Sequence, residues 1–124
     1  MRAIPAIFLV ALVGGCTAQP VDTSARVNHW TTVLRGPDAK MRQEAAFKLG
    51  NLGLSDLDAI VPALTAALRD TDPAVRREAI LALMKCGPRA QDATSTLAEL
   101  SRRDSDATVR ADAEKALRKL ASNR

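Results

Sequence analysis

Few side chains in this sequence could carry out covalent or metal chemistry. The 124 residues include two cysteines, Cys16 and Cys86, and one histidine, His29. A metal site or a nucleophilic triad would need further His, Cys or carboxylate partners at fitting spacings, and none accompany His29. The six glycines lie in the N-terminal segment, at turns or at helix ends, so they form no phosphate-binding loop. The candidates that remain are the thiol of Cys16 and a set of regularly spaced charged residues.

An apolar run leads up to Cys16. It covers positions 3–13 and follows the positively charged start Met1-Arg2. A helix that spans a bilayer takes about 20 apolar residues, so this run is too short. A short apolar run behind a positive start is typical of a secretory signal peptide.

The end of this run, Leu12-Val13-Gly14-Gly15-Cys16, resembles the lipobox of bacterial lipoproteins. The resemblance implies cleavage before Cys16, a diacylglycerol on its thiol and an acyl group on its amine. We therefore expect a signal peptide over 1–15 and a lipidated cysteine with a tether over 16–23. More than one acyl chain gives stable anchoring, so the expected location is the bacterial cell envelope, at either membrane or at the cell surface. An ordinary signal peptide followed by a chance cysteine is the alternative.

Charged residues recur at a constant interval through the rest of the chain. An Asp and an Arg four residues apart occur three times, as Asp38/Arg42, Asp72/Arg76 and Asp106/Arg110, and the step from each pair to the next is the same. An interval kept twice is the signature of a repeat array, and we call it the repeat interval. The pairs could form a charged binding ladder. They could instead be structural, with each Asp capping a helix and each Arg pairing with it or with the neighbouring repeat. We expect exposed pairs, each contributing about 0–1 kcal/mol to stability.

The apolar pattern around these pairs predicts helices and no strands. Val75, Ala79, Leu83 and Cys86 fall on one face of a helix that Gly87-Pro88 ends, so Cys86 is expected in the core. We call the helices that begin at the three Asp residues A-type, and those that precede them B-type. The first expected B-type helix starts near residue 27, and the other two cover about 56–69 and 90–103. The first two A-type helices cover about 39–52 and 73–86. Gly53 is expected to break the chain after the first A-type helix, and Ser55 to cap the B-type helix that follows. The prediction is an all-α fold, a short α-solenoid of about six helices in antiparallel pairs.

This repeat resembles the HEAT family, in particular the short HEAT-like repeats of bacteria. The resemblance rests on Asp72-Pro73-Ala74-Val75-Arg76, its degenerate copies at 38 and 106, and Val61-Pro62-Ala63-Leu64. It implies a HEAT-like superhelix over 24–124, a structural role for the Asp–Arg pairs, and protein binding on a concave face lined by B-type helices. Thr94-Ser95-Thr96 replaces the Val-Pro-Ala stretch, so the last B-type helix is expected to be the least stable, or its polar run to face something.

A basic residue closes each B-type helix: Arg35, Arg69 and Arg103. Stacking of the repeats would place the three arginines in one row beside the concave face. Cations also stabilise helix C-termini, by about 0.3–1 kcal/mol each. The alternative that the three arginines only stabilise the ends of their helices therefore stays open. If the row is functional, it is the candidate partner-binding site.

These observations predict a lipid-anchored adaptor rather than an enzyme. We expect a protein partner on the concave face and a membrane contact through the lipid on Cys16, without nucleic acid or a small-molecule substrate. One alternative is a binder of an anionic envelope polymer. Another is an accessory subunit of an enzyme that resembles the bilin lyases, which also use short HEAT-like repeats.

Overall fold

The computed structural model describes residues 22–123, so the predicted signal peptide and Cys16 lie outside the described residues. Within 22–123 the chain forms helices and no strand, which confirms the all-α solenoid. The helices are α1 (Thr23–Val33), α2 (Ala39–Gly50), α3 (Leu57–Ala67), α4 (Pro73–Cys86), a 3-10 helix (Gly87–Ala93), α5 (Thr94–Arg103) and α6 (Ala107–Ser122). Thr23, which we expected in the tether, is the first residue of α1, with Asp22 as its N-cap.

The three A-type helices, α2, α4 and α6, start as the sequence predicts. Asp38 accepts the backbone N–H of Lys40 at 2.9 Å, and Asp72 accepts that of Ala74 at 2.7 Å. In α6 the same cap is a bond from the N–H of Val109 to Asp106 at 2.9 Å. Each cap satisfies an N–H that has no partner inside its helix.

The other two B-type helices also begin differently from the prediction. Ser55 does not cap α3; the N-cap is Asp56, which has a left-handed backbone (φ 59°) and makes no side-chain bond to the helix. Gly53, with φ 78°, makes the expected break before it. The last B-type helix starts at Thr94 rather than near 90, because a 3-10 helix beginning at Gly87 takes up the preceding residues.

Each B-type helix packs mainly against the A-type helix that follows it, so the fold is three successive hairpins, α1–α2, α3–α4 and α5–α6. The hairpins stack chiefly through their A-type helices, with α2 against α4 and α4 against α6. Gly50 permits the closest of these approaches. A Cβ built at Gly50 would lie 2.8 Å from the Cβ of Ala82 and 3.0 Å from its Cα, so a larger residue would force α2 and α4 apart.

The two layers of the stack are packed unequally. The B-type helices contact one another little, and open grooves of about 380 and 420 Å³ flank α3 on that side. A curved array bends towards its more crowded layer, which favours α2, α4 and α6 as the concave face, and we use that name for their exposed side. This differs from the expectation that B-type helices line the concave face, which stays a prediction.

The core between the two layers is aliphatic. The largest side chains that are fully buried in the described residues are leucines, isoleucines and valines, among them Leu64, Ile80 and Leu83. Cys86 is buried as expected; its Sγ donates to the carbonyl oxygen of Ala82 at 3.4 Å, and burial raises the pKa of the thiol.

Candidate binding surfaces

The ladder arginines make two ion pairs between successive hairpins, one buried and one partly buried. Nε and Nη2 of Arg76 donate to the two carboxylate oxygens of Asp104, each at 2.8 Å. Both residues are 9% exposed. Arg42 makes the same two-pronged contact to Asp70, at 2.8 and 3.0 Å. Arg42 and Arg76 therefore each pair with an Asp at the turn of the next hairpin.

Each ladder arginine also fastens the turn before its own helix. Arg42 donates to the carbonyl oxygen of Gly36 at 3.0 Å, and Arg76 donates to the carbonyl oxygen of Asp70 at 2.8 Å. Arg110 donates to the carbonyl oxygen of Asp104 at 2.6 Å. The carbonyl precedes the arginine by the same number of positions in all three cases, so the contact is part of the repeat.

This geometry corrects the expectation that the pairs are exposed. Asp72 caps α4 and forms no ion pair with Arg76, whose partner is Asp104 instead. The sequence carried a signal for this. Asp70-Thr71-Asp72 and Asp104-Ser105-Asp106 are one repeat interval apart, whereas the first hairpin has Gly36 at that position, where no earlier arginine is available to pair. The buried side chains of Arg76 and Asp104 and the partly buried ones of Arg42 and Asp70 favour a structural role for the ladder.

The two carboxylates that pair with the ladder arginines have lowered pKa values. Burial by itself would raise the pKa of Asp104. The hydrogen bonds from Arg76 and from the backbone N–H of Asp106 outweigh burial, so the pKa of Asp104 lies below its ordinary value. The pKa of Asp70 is lowered in the same way, against burial, by Arg42 and by the N–H of Asp72. Both ion pairs of the ladder are thus charged at neutral pH.

The predicted basic row is divided between two grooves on the outer side. Arg69 and Arg103 line one groove of about 270 Å³, together with Thr96 and Glu99. Arg69 lies 3.6 Å from a carboxylate oxygen of Glu99. Arg35 lines the groove between α1 and α3. Of the polar run of α5, Thr96 lines the groove of Arg69 and Arg103, whereas Thr94 donates to the carbonyl oxygen of Gln91 at 2.7 Å.

Sequence reasoning missed an apolar pair on the concave face. Phe47 on α2 is 47% exposed and Leu81 on α4 is 37% exposed. They are one repeat interval apart and therefore occupy the same position in adjacent repeats. The third repeat has Lys115 there, on α6, and it is also exposed. We call these three residues the concave row. The signal lay in the same alignment that revealed the repeats.

Lysines surround the apolar part of the concave row. Lys85 Nζ lies 5.2 Å from the ring centroid of Phe47 and donates to Asn51 Oδ1 at 2.8 Å. Lys48 Nζ lies 5.9 Å from the ring of Trp30, at the N-terminal edge of the stack. Among residues 22–123, no carboxylate forms an ion pair with these two lysines or with Lys115 and Lys119. The face therefore combines exposed apolar carbon with lysines that form no ion pair, while Glu44, Glu78 and Asp112 lie one helical turn before the three residues of the row.

The described residues offer little for other chemistry. No three His, Cys, Asp or Glu side chains in this part of the chain are grouped so that they could hold a metal ion. His29 is exposed at the rim of α1, as expected, and packs edge-on against Trp30 with a centroid distance of 4.8 Å. In the same residues, every helix is too short or too polar to cross a membrane.

A comparison with protein families bears on the repeats. The family model described as HEAT repeats matches residues 27–118. No curated protein and no solved structure matches the chain significantly.

Proposed function

Because this chain belongs to the HEAT-repeat family, we propose that it is a membrane-anchored adaptor that binds a partner protein on its concave face. HEAT repeats are commonly protein-interaction scaffolds, and the fold is a short solenoid of this kind. The observation that carries the proposal is the exposure of Phe47 and Leu81 side by side on the crowded inner layer.

The chemistry of the concave face supports protein binding. Adjacent exposed apolar side chains within a polar surround are a common feature of interaction sites. Protein interfaces combine an apolar centre with a polar, solvated rim. Phe47 and Leu81 supply the centre, and Lys48, Lys85 and Lys115 supply the rim. The ladder contributes rigidity rather than contact, since its charges are buried between the hairpins.

Anchoring on Cys16 is the second half of the proposal. The face spans only three helices, so it offers less than the roughly 800 Å² per partner of a standard interface. Binding in solution is then weak. A lipid on Cys16, a short step before the N-cap Asp22, would hold the solenoid close to the membrane and raise its effective concentration towards a partner in the same membrane.

Site-specific crosslinking in cells tests the concave face. A photoreactive leucine analogue at Leu81 should form a discrete adduct with a second protein. The matched control is the same analogue at Leu54, a 76%-exposed leucine in the loop between α2 and α3. We expect the adduct at 81 only, and its loss in Phe47→Ala. Equal adducts at 54 and 81, or none at 81, would show that the concave face is not the binding surface.

The groove of Arg69 and Arg103 supports a second candidate, an anionic envelope polymer. Arg69, Arg103 and Thr96 line it beside the carboxylates Asp70, Glu99 and Asp104, and guanidinium groups suit carboxylates and phosphates. Replacing Arg35, Arg69 and Arg103 together by Glu should leave the helical circular dichroism spectrum unchanged and abolish retention on an anionic polymer. If the folded triple variant is retained as well as the wild type, the arginines serve only helix-end electrostatics.

A further inference from the structure

The order of residue types along the concave row limits the kind of partner that can bind it. Read along the stack, the equivalent positions on α2, α4 and α6 are Phe47, Leu81 and Lys115: apolar, apolar, cationic. All three are exposed, and the helices that carry them pack directly on one another. A partner that lies across the three helices meets these side chains in turn.

The spacing of the row selects a helical ligand. Packed helices lie about 8–10 Å apart, so the ligand must present side chains at steps of about that length on one side. Seven residues of an α-helix rise about 10.5 Å and return to nearly the same face, with a drift of only about 20° per heptad. In a β-strand, three residues span about 10 Å, but the third step points to the opposite face. A helix fits the row and an extended peptide does not.

From this register we propose that the ligand on the concave face is an amphipathic helix of the partner protein with two apolar residues and one acidic residue at intervals of seven. The apolar residues lie on Phe47 and Leu81, and the carboxylate meets Lys115. Lys48, Lys85 and Lys119, which have no carboxylate partner among residues 22–123, favour further acidic residues along its edges. This inference rests on the proposed function, since it names the partner of the same face.

Designed peptides test the order directly. The probe is a helical peptide of Ala and Gln, three heptads long, with Leu, Leu and Glu at its positions 3, 10 and 17, labelled for fluorescence anisotropy. The control peptide has the same composition in the order Leu, Glu, Leu, which differs from the probe in either binding direction. The full chain is held in nanodiscs of neutral phosphatidylcholine, and empty nanodiscs give the background of peptide bound to lipid.

We expect the probe to bind at least about five-fold more tightly than the control. Removing an apolar contact in Leu81→Ala should weaken probe binding by about ten-fold, the effect of roughly half the burial of a leucine side chain. Lys115→Glu should weaken it by about three- to ten-fold, as expected when an exposed attraction becomes a repulsion. The same variant should now prefer a peptide with Leu, Leu and Lys. Arg26→Glu, on the exposed side of α1, is the matched charge reversal and should leave the binding of the probe peptide unchanged.

The outcomes separate this inference from the proposed function. If the full chain does not distinguish probe from control, or Lys115→Glu does not switch the preference, the inference is overturned. If no peptide binds while the analogue at Leu81 still captures a partner protein in cells, the inference falls and the adaptor function stands. A Leu81 adduct with a second copy of this chain, or with its own N-terminal segment, also overturns it. Failure of both peptide binding and capture overturns both.

Discussion

At the scale of single residues, burial decides what a charged side chain contributes. Arg76 and its neighbour Arg77 both hold an Asp through Nε at 2.8 Å. The side chain of Arg76 is 11% exposed and its partner Asp104 3%, whereas the side chain of Arg77 is 46% exposed. An exposed pair gains little over hydration of its two ions. A buried pair leaves an unsolvated charge when one partner is removed.

Arg76→Ala should therefore destabilise the fold strongly. We expect a loss of about 3–5 kcal/mol, because Asp104 is left buried and unpaired. This is similar to the loss of about 2–5 kcal/mol expected for the core cavity in Leu83→Ala. Arg77→Ala is the matched control and should cost about 0–1 kcal/mol. Urea denaturation measures all three, and equal small effects at 76 and 77 would contradict the buried assignment.

Acid should weaken the ladder. The pKa values of Asp70 and Asp104 are lowered in the folded state, so the unfolded chain takes up protons first as the pH falls. The stabilisation is complete above the unfolded pKa, about 3.9 for Asp, and is lost as the pH falls through the folded values. Unfolding free energy should thus decline below about pH 5. The Asp104→Asn variant should be less stable than the wild type at pH 7, and its unfolding free energy should decline less steeply as the pH falls. A decline parallel to that of the wild type would show that the ladder does not titrate.

At the scale of helices, the crossing of α2 and α4 sets the spacing of the concave face. Gly50 is helical, and replacing a helical glycine by alanine ordinarily stabilises by roughly 1 kcal/mol. Here the new Cβ would lie 2.8 Å from the Cβ of Ala82. Gly50→Ala should therefore have the opposite sign and destabilise by about 1–3 kcal/mol through overpacking.

Adding Ala82→Gly tests whether the cause is this contact. The double variant removes the clashing Cβ, so the two substitutions should be coupled by about 0.5–3 kcal/mol in a double-mutant cycle. Additive effects would mean that α2 and α4 do not approach each other at Gly50.

At the scale of the whole molecule, the proposed function depends on attachment to a membrane. The native protein should begin at Cys16 and carry acyl chains, and Cys16→Ala should remain uncleaved by the lipoprotein peptidase and unacylated. Cys86→Ala is the matched control, since Cys86 is buried and should not affect the modification. Mass spectrometry of the purified proteins distinguishes these forms; an unmodified Cys16 in the native protein would refute the anchor.

The sequence by itself determined the repeat, the helices and the caps of the A-type helices. These are local properties: Asp72 caps a helix through bonds to residues two and three positions away, and helical periodicity is visible within a dozen residues. Helix boundaries were less secure where local signals compete. The 3-10 helix at Gly87–Ala93 takes residues that the apolar pattern had assigned partly to the next α-helix.

Only the tertiary structure decided which helices face inward, which Asp each Arg holds, and which side chains stay exposed. These properties depend on how closely separate hairpins approach. Arg76 meets Asp104 because the turn of the third hairpin stacks on the second. Gly50 lets α2 and α4 close together on the inner side. The spacing along the chain shows that Phe47, Leu81 and Lys115 occupy equivalent positions. Their arrangement as one row on the concave face follows from the close packing of the A-type helices.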